Sequence, residues 1–377
     1  MLSHPAMKPI HIIGAGMAGS EATAASRSRH LPGIHGLRAA AALAVVTYHT
    51  CYICRPFLDV PPLLAPAVSN MGLSVHLFFI VSAFSLLHTY DSTSRKPGWV
   101  YSYAVKRFFR IAPLFYVLLL FWISFARFTT PVGTIAANVS FTFNFLPTEY
   151  TSMVWAGWTL GVEMPVYAVL PLLIHRFRET RAAVSITVVA LAFSIAARLV
   201  IASSSLPADY AYFSLAGNAG VFALGALVFH FVNSGTLQSH GLGIMVAGAG
   251  AGLLLLATVA SKPFAGGARL DVLLWSLPLA LLCGWQAVQP SRLMASTIMQ
   301  WIGERSYSIY LLHPLVVYVL WQAGVYDRIF AKLNMLGSWS FVICVAITVA
   351  LTLSLAAVTY MLVERPGQKL GRLIAGH

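Results

Sequence analysis

Ten apolar stretches divide this chain, near 36–54, 71–90, 111–127, 158–175, 182–202, 212–232, 241–260, 271–288, 306–324 and 339–363. Each approaches the ~20 residues that a helix needs to cross hydrocarbon. Composition agrees: 58% of residues are hydrophobic, 9% are charged, and mean hydropathy is +0.77. A soluble domain carries about a quarter charged residues, and a chain with so few could not cover its surface. The sequence therefore predicts an all-α, polytopic integral membrane helix bundle of about ten transmembrane helices. A shorter and more polar segment, 131–147, reads as a re-entrant or interfacial piece. The expected organisation is a leader over 1–35, a transmembrane domain over 36–363 and a tail over 364–377.

The formal net charge is +13. Basic residues on a membrane protein collect on the cytoplasmic side, so this excess points to the lipid bilayer as partner and not to nucleic acid. With ten spans and both termini inside, the 24 Lys and Arg residues divide 17 inside to 7 outside. The inner set includes Arg38, Lys106, Arg107, Arg110, Arg176 and Arg178. The outer set includes Arg55, Arg198 and Arg269. That bias predicts a multi-pass protein with cytoplasmic termini.

One motif argues for something else. The run "HIIGAGMAGSEATAA" places Gly14, Gly16 and Gly19 in the G-x-G-x-x-G spacing of dinucleotide-binding turns. Such a site needs a second strand and an acidic residue about 20 residues on. After Glu21 the next acidic residue is Asp59, beyond the first apolar stretch. The motif thus lacks its fold, and the segment is expected to be a flexible leader without a bound cofactor. Cys51 and Cys54 form a lone C-x-x-C with no second pair, so they read as helix-face thiols and no metal is expected.

Polar groups within apolar stretches are costly, and each is a functional candidate. In "GLRAAAALAVVTYHT", Arg38 and His49 stand eleven residues apart, nearly three helical turns. They project from one face, about 16 Å apart along the axis. Singly, they read as a snorkelling anchor and a packing histidine; together they suggest a polar track. Glu163, in "WTLGVEMPVY", is expected at a depth comparable with His49. A carboxylate there would fix the imidazole tautomer and make His49 a general base, or would instead lock helices through an arginine. Arg107 and Arg110 share a helix face and suit a phosphate-rich ligand, or positive-inside anchoring. Tyr307, Tyr310 and His313 follow at i, i+3, i+6, as a girdle or as part of a site. Ser82 is a conceivable acyl carrier, although small serines more often serve helix packing.

At these residues the sequence resembles the membrane acyltransferase-3 family, which O-acylates cell-surface glycans and some small hydroxylated molecules. "GLRAAAALAVVTYH" resembles its first-span Arg and His separated by ten residues, and "LFFIVSAF" its second-span signature, with Ala83 in place of Gly. Arg107-Phe-Phe-Arg110 fits its R-x-x-R. "WTLGVEMPVY" is similar to its Trp-Ser-Leu-x-Val-Glu pattern, with Pro165 where Gln is common, and "YSIYLLHP" and "VERP" complete the order. The resemblance implies transfer of an acyl group, acetyl foremost, from cytoplasmic acyl-CoA to a hydroxyl of an extracytoplasmic glycan, such as exopolysaccharide or O-antigen, at a bacterial inner membrane. It implies catalysis by His49, positioning by Arg38, support from Glu163 and a donor site at Arg107 and Arg110. Ala83 and Pro165 are expected to bear on the detailed shape of the acceptor pocket and not on the Arg38–His49 pair. Some family members carry an esterase-like domain as well; here the enzyme is expected to act alone or with a separate partner. The competing expectation is a proton-coupled transporter using Arg38, His49 and Glu163.

Overall fold

Pro32, whose missing N–H is harmless in a first turn, opens helix α1 (Pro32–Tyr52), and the strong helix formers Ala39–Ala42 sustain it. The structure is a computed structural model describing residues 31–54, 56–125, 130–237, 250 and 266–376. Helices follow in the order α2 (Val75–Tyr90), α3 (Trp99–Phe125), α4 (Val132–Val139), α5 (Trp158–Leu173) and α6 (Thr180–Ser203). Then come α7 (Leu215–Asn233), α8 (Asp271–Val288), α9 (Thr297–Glu304), α10 (Ser306–Gln322), α11 (Phe341–Thr359) and α12 (Arg365–Ile374). The described residues contain no β-strand, so the all-α bundle expected from the apolar stretches is the observed fold.

Six described helices are long and apolar enough to cross a bilayer, and a seventh if α10 and Val325–Lys332, which meet at 60°, form one broken span. Two further helices fall short of that test for identifiable reasons. His35, Arg38 and His49 lower the hydropathy of α1, and α5 has 16 residues. The stretch 241–260 and the glycine motif at Gly14, Gly16 and Gly19 lie outside the described residues. The polar segment near 131–147 is the short helix α4 followed by a tight turn at Phe143–Phe145, not a full crossing.

Two boundaries differ from expectation. Helix α3 begins at Trp99, a dozen residues before the apolar stretch at 111, so Lys106, Arg107 and Arg110 stand inside a 27-residue helix. The expected tail is the amphipathic helix α12, packed along α3. Its Gly367 faces Pro113 and the backbone of Phe109 so closely that a Cβ would collide with both. Leu370, Leu373 and Ile374 remain exposed on α12, an apolar face of the kind that lies in a membrane interface.

Helix α1 is the centre of the bundle, in contact with α2, α8, α9, α10 and α11. Its approach to α9 depends on Gly303, where any Cβ would run into the carbonyl of His35. That contact places the start of α10, one turn further on, beside Arg38.

Candidate functional site

Helix α10 meets the polar face of α1 at two levels. Arg38 Nε donates to Ser306 Oγ at 3.1 Å. His49 Nδ1 and His313 Nε2 share a hydrogen bond of 2.8 Å, with ring centroids 4.8 Å apart. Arg38 and His49 therefore do occupy one face, as their spacing predicts, and α1 and α10 run in the same direction. Each level opens on a different cavity.

The Arg38 cavity is narrow, about 50 Å³. It is lined by Arg38 from α1, Ser82 from α2, Arg107 and Arg110 from α3, and Glu163 and Tyr167 from α5. Helix α10 contributes Ser306, Tyr307 and Tyr310 to the same lining. Residues of five helices are thus joined by the fold, and three guanidinium groups face one carboxylate. Such a surplus of fixed cations in a water-poor site holds anionic groups strongly.

A hydrogen-bond chain orients the carboxylate. Tyr167 OH donates to Glu163 Oε2 at 2.9 Å, and Ser82 Oγ donates in turn to Tyr167 OH at 2.6 Å. Glu163 and Tyr167 are four residues apart, so one face of α5 presents both. Tyr103 OH bonds the Tyr167 carbonyl at 2.9 Å, and Tyr307 OH bonds the Ile111 carbonyl at 2.6 Å. These bonds tie α3, α5 and α10 together at the level of the arginines. Below them Glu364, 2% exposed on a π-helical turn, accepts from Ser308 and lies within electrostatic reach of Arg110.

The His49 cavity is larger, about 280 Å³. Tyr48, His49, Trp158, Asp209, Tyr212 and Arg269 are among its walls. His313 is fully buried behind His49. The bond to His313 occupies Nδ1 of His49. In the tautomer that donates from Nδ1, Nε2 is left as a base.

Glu163 does not partner His49, which corrects the expectation that a carboxylate fixes this imidazole. Helix α5 runs opposite to α1: its first residue, Trp158, lines the His49 cavity, whereas Glu163 has descended to the arginines. Ser82 likewise bonds Tyr167 and lines the Arg38 cavity, not that of His49. Tyr310 lines both cavities, and Trp158 and Thr159 fall on opposite sides of the division, so a wall about one residue thick separates them.

A further cavity, about 480 Å³, is an apolar groove among α5, α6 and α7. Ala83 and Pro165 both line it, and neither lines the His49 cavity. Neither departure from the family pattern therefore touches the His49 cavity.

Sequence reasoning missed Tyr167, Ser306, Glu364, Asp209 and Arg269. The i, i+4 spacing of Glu163 and Tyr167, and the two-turn spacing of Ser306 and His313, were signals present in the chain. Asp209 and Arg269 stand in connections between helices, where no periodicity marks them.

Two polar cavities buried between helices, back to back along one central helix, define a polytopic membrane protein with an intramembrane site. The acyltransferase domain of the acyltransferase-3 family matches residues 31–357, and the chain belongs to that family. It is a membrane acyltransferase. No curated protein and no solved structure matches the chain.

Proposed function

We propose that this acyltransferase moves an acyl group, acetyl foremost, from acyl-CoA on the Arg38 side to a glycan or other hydroxylated acceptor in the His49 cavity. The observation that carries the reading is the wall at Tyr310. An anion-holding cavity and a cavity with a general base lie on its two faces, and the central helix α1 supplies both Arg38 and His49. A thioester made in the cytosol bears phosphates, and a surface glycan lies on the far side of the membrane. The excess of basic residues toward the Arg38 end supports cytoplasmic termini in a bacterial inner membrane.

In this reading Arg107 and Arg110 hold donor phosphates, while the slim thioester arm enters past Arg38. A cavity of about 50 Å³ is too small for the whole donor, so the nucleotide stays outside while the arm displaces the Tyr310 ring and brings the thioester to the His49 cavity. Nε2 of His49 removes the acceptor hydroxyl proton as the oxygen attacks the thioester carbonyl. The tetrahedral intermediate collapses with loss of the CoA thiolate, which takes up a proton, and the acyl ester remains on the acceptor. His313 keeps the His49 ring oriented. Burial between helices strengthens each electrostatic contact to the developing oxyanion.

The test is mass spectrometry of alkali-labile acyl esters on envelope and secreted glycans, comparing wild type with His49→Ala at equal membrane abundance. An ester that depends on His49 supports the reading and names both acyl group and acceptor. Identical ester profiles with altered uptake or export would replace it with the proton-coupled transporter.

A further inference from the structure

Arg269, in the wall of the His49 cavity, is held through both its backbone and its side chain. Its backbone adopts φ +48°, a left-handed conformation that is uncommon for a residue other than glycine and tends to mark functional positions. Arg198, fully buried on α6, fixes that conformation by donating from Nη1 to the Arg269 carbonyl at 2.9 Å and from Nε to the Gly217 carbonyl at 2.9 Å. The guanidinium is clamped as well. Nε and Nη2 bond the two oxygens of Asp271 at 3.0 Å each, and the Arg269 Cζ lies 4.6 Å from the centre of the Tyr212 ring.

A guanidinium has five N–H bonds, and Asp271 takes two of them. Arg269 stands in the cavity wall, with 28% of its side chain exposed. The Asp271 side chain, by contrast, is 5% exposed, so the pair is a shielded carboxylate presenting a rigid, partly open donor fork. Among the described residues the charges also balance: Arg269 and Asp209 line the cavity, and Arg198 and Asp271 stand behind Arg269. Tyr48, Trp158 and Tyr212 add aromatic faces.

We propose that Arg269 orients the acceptor, and that the unit it takes is a neutral sugar ring, not an acidic one. The inference rests on the acyltransfer reading above. A cavity of about 280 Å³ lies just under the size range of drug-sized ligands, which suits one ring with its continuation outside. The aromatic walls cover the ring's C–H faces while the remaining N–H bonds of Arg269 and the carboxylate of Asp209 meet hydroxyls. A uronate or phosphate would add a charge that the balanced wall leaves uncompensated, and would face Asp209 directly. Arg198 acts through Arg269 as a positioning residue.

The experiment uses membranes containing the full chain, radiolabelled acetyl-CoA, and the envelope glycan fraction of cells lacking the gene as acceptor. Methyl glucoside and methyl glucuronoside serve as competitors. Arg269→Gln should raise KM for the acceptor about ten- to hundredfold, the loss expected for a charged hydrogen bond, with KM for acetyl-CoA unchanged. Arg269→Lys should recover part of that loss. The glucoside should compete at lower concentration than the glucuronoside. A misfolded variant would lose the donor constant too, which separates collapse from lost recognition. An unchanged acceptor KM in both variants, or stronger competition by the glucuronoside, would overturn the assignment. Absence of transfer by the wild type would instead remove the acyltransfer reading itself.

Discussion

His313 Nε2 lies 2.8 Å from Nδ1 of His49, so the imidazole expected to do chemistry is oriented by a second imidazole instead of a carboxylate. A neutral partner holds the ring without placing a fixed negative charge in the bilayer. His49→Ala should abolish ester formation. His313→Ala should lower it about ten- to hundredfold, because the base remains and its orientation is lost; general-base catalysis as a whole contributes about 10²–10⁴. Quantified esters per molecule of membrane protein would check this. Equal losses for the two variants would mean that His313 itself touches the reacting atoms.

Arg107 and Arg110 line the Arg38 cavity on adjacent turns of α3. If they hold donor phosphates, Arg107→Gln and Arg110→Gln should each raise KM for acetyl-CoA by about tenfold, the range of one charge-assisted bond. The acceptor KM should not move. Steady-state kinetics with each substrate varied in turn separates the two, and a loss confined to kcat would argue against donor binding.

Tyr310, 7% exposed, lines both cavities, and in the proposed reading its ring is the barrier between them. Tyr310→Ala should open it and admit water to the thioester, so that release of free CoA thiol without acceptor rises several-fold. Tyr310→Phe keeps the ring and should behave as wild type. A thiol-release assay reads both variants, and equal background hydrolysis in all three proteins would place the barrier elsewhere.

Cys54, just beyond α1 at the His49 end, is partly exposed, whereas Cys51, Cys283 and Cys344 are buried. If that end faces outward, a membrane-impermeant maleimide added to intact cells should label the protein, and Cys54→Ser should remove the label. Burial pushes the Cys54 thiol above its ordinary pKa. Since the thiolate is the reactive form, labelling should be slow at pH 7 and quicken toward pH 9. Labelling that requires broken cells would reverse the proposed topology.

Much of this architecture was legible because so few side chains are charged. Arg38 and Glu163 stand out as costly exceptions in apolar runs and Arg107 as part of a basic cluster beside one, but their meeting in one cavity is a result of the fold that the sequence did not mark. Periodicity also placed Arg38 and His49 on one face. It could not say which neighbouring helix that face would meet, so the pairing of His49 with His313 was invisible, and depth alone wrongly suggested Glu163. The start of α3 at Trp99 was hidden because an amphipathic, basic helical turn does not look like a span. Arg269 escaped for a different reason: a residue fixed by contacts from Arg198 and Asp271 leaves no local pattern.

The wall at Tyr310 has a consequence for the cell's energy supply. A membrane that stores a voltage and a proton gradient tolerates no continuous wet path through its proteins. The two cavities here meet at the buried Tyr310 and the neighbouring Trp158–Thr159 step, so if the acyl group is handed from one side to the other as proposed, the passage need open only for the transfer and the insulation of the bilayer is kept between turnovers.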